Sequence, residues 1–99
     1  MYDIIIIGMG ISGITAAIYA KRAGKNILLI DKSAPGGLLN NIDTITNYPG
    51  LPNISGPDFA LALLNQINEL EITYKIEEVI DISLSGKEKV VKTVSNTYK

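Results

Sequence analysis

Three glycines and one aspartate carry the clearest chemical signal in the sequence. Gly8, Gly10 and Gly13 form the pattern G-x-G-x-x-G. In this pattern the first glycine allows a tight turn, the second lets a pyrophosphate approach the backbone, and the third brings a helix close to a strand. Asp31 follows Gly13 at close to the roughly 20-residue interval at which an acid meets ribose hydroxyls. The spacing predicts a dinucleotide site, although glycines also cluster in ordinary turns and a strand-end aspartate also caps turns.

The elements around these residues have the order that a dinucleotide site requires. The isoleucine run at residues 4–7 precedes the glycines, and its uniform apolar character predicts a central parallel strand covered on both faces. The segment from Gly13 to Ala23 has apolar residues at helical spacing and is followed by Gly24, a typical helix terminator. A second apolar run, Ile27–Ile30, ends at Asp31. This context favours the dinucleotide interpretation over an ordinary turn.

Composition narrows the classes of function. The 99 residues suffice for one small domain or part of a larger one, and 46% of them are hydrophobic. A formal net charge of −1 without long charge runs predicts no binding to nucleic acid or to an anionic membrane. The first apolar run stops at Gly8, so we expect neither a signal peptide nor a membrane span, and a cytoplasmic protein.

Cysteine and histidine are both absent. Their absence removes disulfides, thiolate nucleophiles, the usual zinc ligands and the commonest general base. The acids of the C-terminal part interleave with lysines and form no paired-carboxylate site. We therefore predict no catalytic residue and no metal site in this chain, and any redox chemistry would belong to a bound cofactor.

The remainder of the chain predicts a loop, a helix and a run of strands. Residues 32–56 are rich in turn formers but carry apolar anchors, which favours an ordered functional loop over a flexible linker. A packing helix should start at Ser55–Pro57 and end near Leu70. Strands are expected at Asp3–Gly8, Asn26–Asp31 and Glu71–Lys75, and from Ile76 onward the apolar residues alternate as in an antiparallel meander.

The chain resembles the N-terminal segment of bacterial-type thioredoxin reductases, an FAD-dependent family of pyridine nucleotide-disulfide oxidoreductases. The resemblance covers essentially the whole chain and rests on three stretches: IIIIGMGISGITAAIYAKRAG, LLIDKSAPGG and ITNYPGLPNISGPDF. It implies an α/β fold, in which a Rossmann-like FAD-binding βαβαβ half at residues 1–75 is followed by an antiparallel β-meander at residues 76–99. It also implies that the FAD/NAD(P)-binding domain is incomplete at the C-terminal end.

The resemblance further implies which residues bind FAD. The expected contacts are Gly8, Gly10, Ile11, Ser12 and Gly13 at the pyrophosphate; Asp31 and Lys32 at the adenosine ribose; the backbone of Val79 at the adenine; and Gly36, Gly37, Leu38 and Asn47 toward the flavin.

Three departures from the family pattern carry consequences. Met9 stands where the family usually has a small residue, which predicts a more crowded approach for the pyrophosphate. Leu38 replaces a common glutamine and so removes an amide that could bind near the flavin. The chain ends before the later FAD contacts, the NADPH domain and the Cys-x-x-Cys of the family. NADPH would thus bind only through a domain absent from this chain, and the partners implied are the missing remainder or a second chain, with a homodimer in the complete enzyme.

Three functions remain open at this point. The leading one is an FAD-binding segment of an enzyme that reduces thioredoxin with NADPH when complete. The second is a non-catalytic module that binds an adenine dinucleotide. The third is an inert truncated product that keeps the fold without binding a ligand.

Overall fold

The computed structural model describes residues 1–36, 41–50 and 53–99. It contains a parallel sheet, two helices and an antiparallel sheet. In chain order the elements are β1 (Ile4–Ile7), α1 (Ile11–Arg22), β2 (Ile27–Asp31), α2 (Gly56–Glu69), β3 (Thr73–Ile76), β4 (Val79–Ser85), β5 (Glu88–Thr93) and β6 (Thr97–Tyr98). The predicted α/β class, with a βαβαβ unit followed by a meander, is confirmed.

The two sheets differ in strand direction. β1, β2 and β3 are parallel neighbours in that order, and β4, β5 and β6 form the antiparallel meander. The residue pairs Ile4 with Ile27 and Leu28 with Thr73 define the register of the parallel sheet. β3 extends to Ile76, a residue that the alternation pattern places in the meander.

The prediction that β1 is a central, doubly covered strand is wrong for the described residues. β2 occupies the centre of the parallel sheet, and β1 lies at its edge. Ile4 and Ile7 are 40% and 47% exposed, whereas Ile27–Ile30 are all buried. A run of isoleucines indicates an apolar strand. Whether other strands pair with both of its edges depends on segments that are far away in the sequence.

The parallel sheet has a different covering on each face. Ile27 and Leu29 point to the face that carries α1 and α2, here called the helical side, and Leu28 and Ile30 point to the face that carries the antiparallel sheet, here called the meander side. This alternation follows from the two-residue period of a strand. Neither helix in the described parts of the chain has the length and apolarity needed to span a bilayer.

The two helices begin differently. α2 has a side-chain cap, because the Ser55 hydroxyl accepts a hydrogen bond from the Asp58 N–H at 3.1 Å. Its buried face carries Phe59, Leu63 and Ile67, as expected for a packing helix. α1 begins after Gly10, and no side chain caps it. The N-terminus of α1 therefore keeps its backbone donors for another partner.

Candidate dinucleotide site

Two of the three motif glycines after β1 occupy positions that other residues would fit poorly. Gly8 has φ +116°, a conformation that L-residues other than glycine rarely adopt. A Cβ atom at Gly13 would overlap the carbonyl oxygen of Gly8, so the helix approaches the strand end closely. A Cβ at Gly10 would enter open space. The structural roles expected of the first and third glycines thus match the geometry.

The start of α1 offers an anion site. Gly10 occupies the cap position with extended backbone, and the first turn contains no acidic residue. The first hydrogen bond of α1 runs from the Ile14 N–H to the Gly10 carbonyl, at 3.0 Å. The N–H groups of residues 11–13 come before this bond and have no partner within the helix. Free N–H groups and the positive end of the helix dipole together favour a phosphate at this position.

The carboxylate of Asp31 is held beside the glycine turn by two backbone donors. The Met9 N–H donates to Oδ2 at 2.7 Å, and the Ser33 N–H donates to Oδ1 at 3.0 Å. Because each carboxylate oxygen has two lone pairs, one acceptor position per oxygen remains for further donors. The aspartate therefore caps the following turn, as the alternative interpretation supposed, and still has capacity for ribose hydroxyls.

Met9 does not crowd the turn. Its side chain is 0% exposed and belongs to the buried cluster on the helical side. The cleft above the turn is lined by the neighbouring glycines and not by Met9. The expected crowding is wrong, because the side chain of residue 9 points into the core and away from the cleft.

Two adjoining clefts extend from the glycine turn along the loop after β2. The first has a volume of about 450 Å³ and is lined by Ile7, Gly8, Gly10, Ile11, Ser12, Gly13, Gly36 and Ile42. The second has a volume of about 360 Å³ and is lined by Ile11, Ile42, Thr44, Ile45, Thr46, Asn47, Tyr48 and Phe59. Ile11 and Ile42 line both, so the two clefts adjoin each other.

The loop that forms the second cleft is anchored to the helical side. Ile45 is buried in the core, and its N–H donates to the Ile54 carbonyl at 2.7 Å. Tyr48 packs edge-on against Phe59 of α2, with ring centroids 4.8 Å apart. These contacts agree with the expectation of an ordered loop, at least over its described residues. Ile42 lines both clefts, although no pattern in the sequence indicates that it belongs to the site.

The expected contact residues fall into three groups: those that line one of the two clefts, those that line neither cleft, and those outside the described residues. Six of them line the first cleft: Gly8, Gly10, Ile11, Ser12, Gly13 and Gly36. Asn47 lines the second cleft, and Ile11 is common to both. Three expected contacts line neither of these clefts: Asp31 lies beside the glycine turn, Lys32 is exposed next to it, and Val79 is half-buried against the meander-side cluster. Gly37 and Leu38 lie outside the described residues.

A polar network lies behind Asp31, between the two sheets. The Glu77 N–H donates to the Asp31 carbonyl at 2.8 Å. The Glu77 carboxylate accepts hydrogen bonds from Thr93 Oγ1 at 2.7 Å, Tyr98 OH at 2.7 Å and Asn96 Nδ2 at 3.1 Å. These bonds, that of Thr93 first, lower the pKa of Glu77, whereas burial and then the Glu77 hydrogen bond raise the pKa of Tyr98 to about 12. No sequence pattern indicates this network, because its members are separated along the chain.

Known proteins resemble this chain in both sequence and fold. Residues 3–42 match the FAD dependent oxidoreductase family. Thioredoxin reductase from Bacillus subtilis is 42% identical over 103 aligned residues, which cover 100% of this chain and 31% of that protein. Solved thioredoxin reductases from Lactococcus lactis and Streptococcus pyogenes are 34% and 39% identical, each with a TM-score of 0.93, and the match covers 99% of this chain and 32% of theirs. The chain thus spans about a third of the length of these relatives.

Proposed function

Because the chain corresponds to the FAD-binding segment of the thioredoxin reductase family, we propose that it binds FAD along the two adjoining clefts. One observation carries the proposal. The uncapped N-terminus of α1 and the carboxylate of Asp31 lie at the same turn, where the Met9 N–H joins them. An anion site next to an oriented carboxylate suits a pyrophosphate linked to a ribose.

The proposed orientation follows the lining of the clefts. The pyrophosphate would accept hydrogen bonds from the backbone of residues 10–13, and the adenosine ribose would donate to Asp31. The flavin would extend past Gly36 into the cleft that contains Asn47. The backbone of Val79 at the adenine, and contacts from Lys32, Gly37 and Leu38, belong to the same proposal.

In the longer proteins of this family, FAD supplies electron transfer when bound. The residues of this chain would bind it, orient it and shield part of it from water. We propose that the whole protein reduces a thioredoxin disulfide with NADPH as donor. The disulfide exchange would then use cysteines outside these residues, because the sequence contains none and exchange requires a thiolate. A homodimer and a cytoplasmic location are part of this proposal, as is the division of the chain into residues 1–75 and 76–99.

Titration with FAD and with ADP tests the binding proposal. The purified chain should bind both ligands, and bound FAD should give the absorbance of oxidised flavin. Asp31→Ala should weaken both by roughly ten- to hundredfold, since a hydrogen bond to a charged acceptor contributes about 1.5–3 kcal/mol. Binding of NAD or ADP without FAD would favour a non-catalytic adenine-dinucleotide module, and binding of none of these would contradict the proposal.

Asp3→Ala is the matched control for Asp31→Ala. The Asp3 carboxylate also accepts a backbone hydrogen bond, from the Asn26 N–H at 2.8 Å, but it lies at the opposite end of β1 from the glycine turn. The control should change the ADP affinity less than about twofold, within the range expected for substitutions away from a site. Equal losses in the two variants would show that Asp31 acts through stability and not through contact with the nucleotide.

A further inference from the structure

We propose that Met9 is a positioning residue that orients the Asp31 carboxylate and thereby sets the affinity of the site for ribose hydroxyls. This inference rests on the proposed nucleotide binding and deepens it. Met9 itself would not touch the ligand, because its side chain is fully buried and only its backbone reaches the site.

The side chain of Met9 determines the conformation of a turn that is otherwise built from glycine. Gly8 and Gly10 flank Met9, and residues without a Cβ restrict their own backbone very little. The Met9 side chain packs in the same buried cluster as Ile14 of α1, Leu29 of β2 and Phe59 of α2. The turn is thus anchored to the core through one side chain between two flexible positions.

The backbone of Met9 connects the parts of the site. Its N–H donates to Asp31 Oδ2 at 2.7 Å, and its carbonyl accepts from the Gly36 N–H at 2.9 Å. The first bond reaches the carboxylate at the end of β2, and the second reaches the loop that lines the first cleft. A shift of Met9 would therefore move both the carboxylate and this wall of the cleft.

Two donors from different segments define the direction of the Asp31 carboxylate. Met9 holds Oδ2, and Ser33 holds Oδ1. If Met9 loses its anchor, the Ser33 bond alone leaves the carboxylate free to rotate. The acceptor positions left for the ribose would then be poorly oriented, and preorganisation of the site would be lost.

Comparison of two nucleotides separates this role from general damage to the core. ADP carries both ribose hydroxyls, and 2′,3′-dideoxy-ADP carries neither. We expect Met9→Ala to weaken ADP by about five- to tenfold and the dideoxy nucleotide by less than about twofold, because only the hydrogen bonds to Asp31 are affected. Met9→Leu, which preserves the apolar volume, should restore most of the ADP affinity.

Ile67→Ala is the control for loss of buried volume. Ile67 is fully buried in the same cluster but lies on α2 and makes no hydrogen bond to Asp31. It should change the affinities for ADP and the dideoxy nucleotide equally. If Met9→Ala does not fold, Met9→Val and Ile67→Val serve for the same comparison, with folding checked by circular dichroism.

The outcomes distinguish this inference from the proposed function. If the unaltered chain binds ADP but the Met9 variant weakens both nucleotides equally, the inference is wrong and the proposed function stands. If Ile67→Ala discriminates between the nucleotides as strongly as Met9→Ala, the inference is also wrong. An unaltered chain that binds neither nucleotide would overturn the proposed function and this inference with it.

Discussion

The two faces of the parallel sheet are stabilised by different means. On the helical side the described residues form a broad buried cluster: Met9, Ile14, Ala17, Ile27, Leu29, Ile45, Phe59, Ala60, Leu63, Ile67 and Ile72. On the meander side the buried cluster consists of Leu28, Ile30 and Val91. The meander side adds the polar network around Glu77, which joins the segment after β3 to β5 and β6.

The difference between the two faces shows which one can hold a binding site in a fixed geometry. Every residue that lines the two clefts lies at the end of β1 or the turn after it, on α1 or α2, or in the loop after β2. These segments share the large cluster, and a site on a rigid support loses less free energy when it orders a ligand. The meander side supports the same sheet from behind and reaches the site through the bond from Glu77 to the Asp31 carbonyl.

The meander also keeps an apolar stripe on its surface. Ile80, Ile82 and Leu84 of β4 are 57%, 57% and 69% exposed. The alternation along β4 follows the period of a strand, yet the described chain covers the stripe only partly. Periodicity therefore predicted the strand correctly without predicting burial.

The comparison is tested most strongly by Leu29 and Leu28. They are neighbours in β2, both fully buried, and they face the helical side and the meander side respectively. Leu29→Ala should lower the free energy of unfolding by about 3–5 kcal/mol and Leu28→Ala by about 2–3 kcal/mol, since a small cluster can collapse more easily around the shortened side chain. Urea denaturation followed by circular dichroism measures both, and equal losses would contradict the asymmetry.

Thr93→Val tests the polar network of the meander side. Thr93 is 2% exposed, and its hydroxyl donates to Glu77 and accepts from the Asn96 N–H at 2.9 Å. Valine has nearly the same shape but makes neither bond, so the free energy of unfolding should fall by about 1–3 kcal/mol. Thr73→Val, at an exposed position of β3, is the control and should stay within about 0.5 kcal/mol. Similar losses of stability in both variants would show that the polar network does not stabilise the fold.

Ser55→Ala measures how much the cap of α2 contributes to the stability of the helical side. The variant removes the hydrogen bond to the Asp58 N–H and should lower the free energy of unfolding by about 1 kcal/mol. Ser83→Ala, at an exposed position of β4, should have a smaller effect. A thermal unfolding series compares them, and a loss for Ser55→Ala larger than that for Leu29→Ala would contradict the dominance of apolar packing.

The smallest expected effect is a pH dependence of the meander side. The Thr93, Tyr98 and Asn96 hydrogen bonds hold the pKa of Glu77 below its ordinary value of 4.5. A lowered folded-state pKa contributes stability that is fully present above pH 4.5 and is lost as the pH falls through the folded value. Glu77→Gln should therefore flatten the decline in stability on the acid side. Denaturation curves between about pH 3 and pH 6 test this, and an unchanged slope would contradict it.

For Tyr98 we expect a corresponding loss of stability at high pH. Burial and the Glu77 bond raise the pKa of its hydroxyl from 10.0 to about 12. A raised folded-state pKa contributes stability that is fully present below pH 10 and declines as the pH rises toward 12. Tyr98→Phe should remove this part of the alkaline decline, which the same denaturation method detects. The variant would disprove the assignment if it declined as steeply as the unaltered chain.

Local sequence patterns were sufficient for the order and type of the elements. The G-x-G-x-x-G spacing placed the turn and the helix that follows it, because each glycine position has its own steric requirement, although α1 begins at Ile11 and not at Gly13. The change from helical to alternating spacing placed the meander, with turns close to Gly86 and Asn96. The match to the FAD dependent oxidoreductase family and the thioredoxin reductase relatives confirm the predicted resemblance.

The tertiary structure decided what depends on distant parts of the chain. It placed β1 at the sheet edge, turned Met9 into the core, and brought Gly36 and Asn47 into adjoining clefts while leaving Val79 on the meander side. Period and turn chemistry act between near neighbours, so a sequence reveals them directly. Burial and the direction of a side chain depend on which remote segments pack together, and that choice is made only when the whole chain folds.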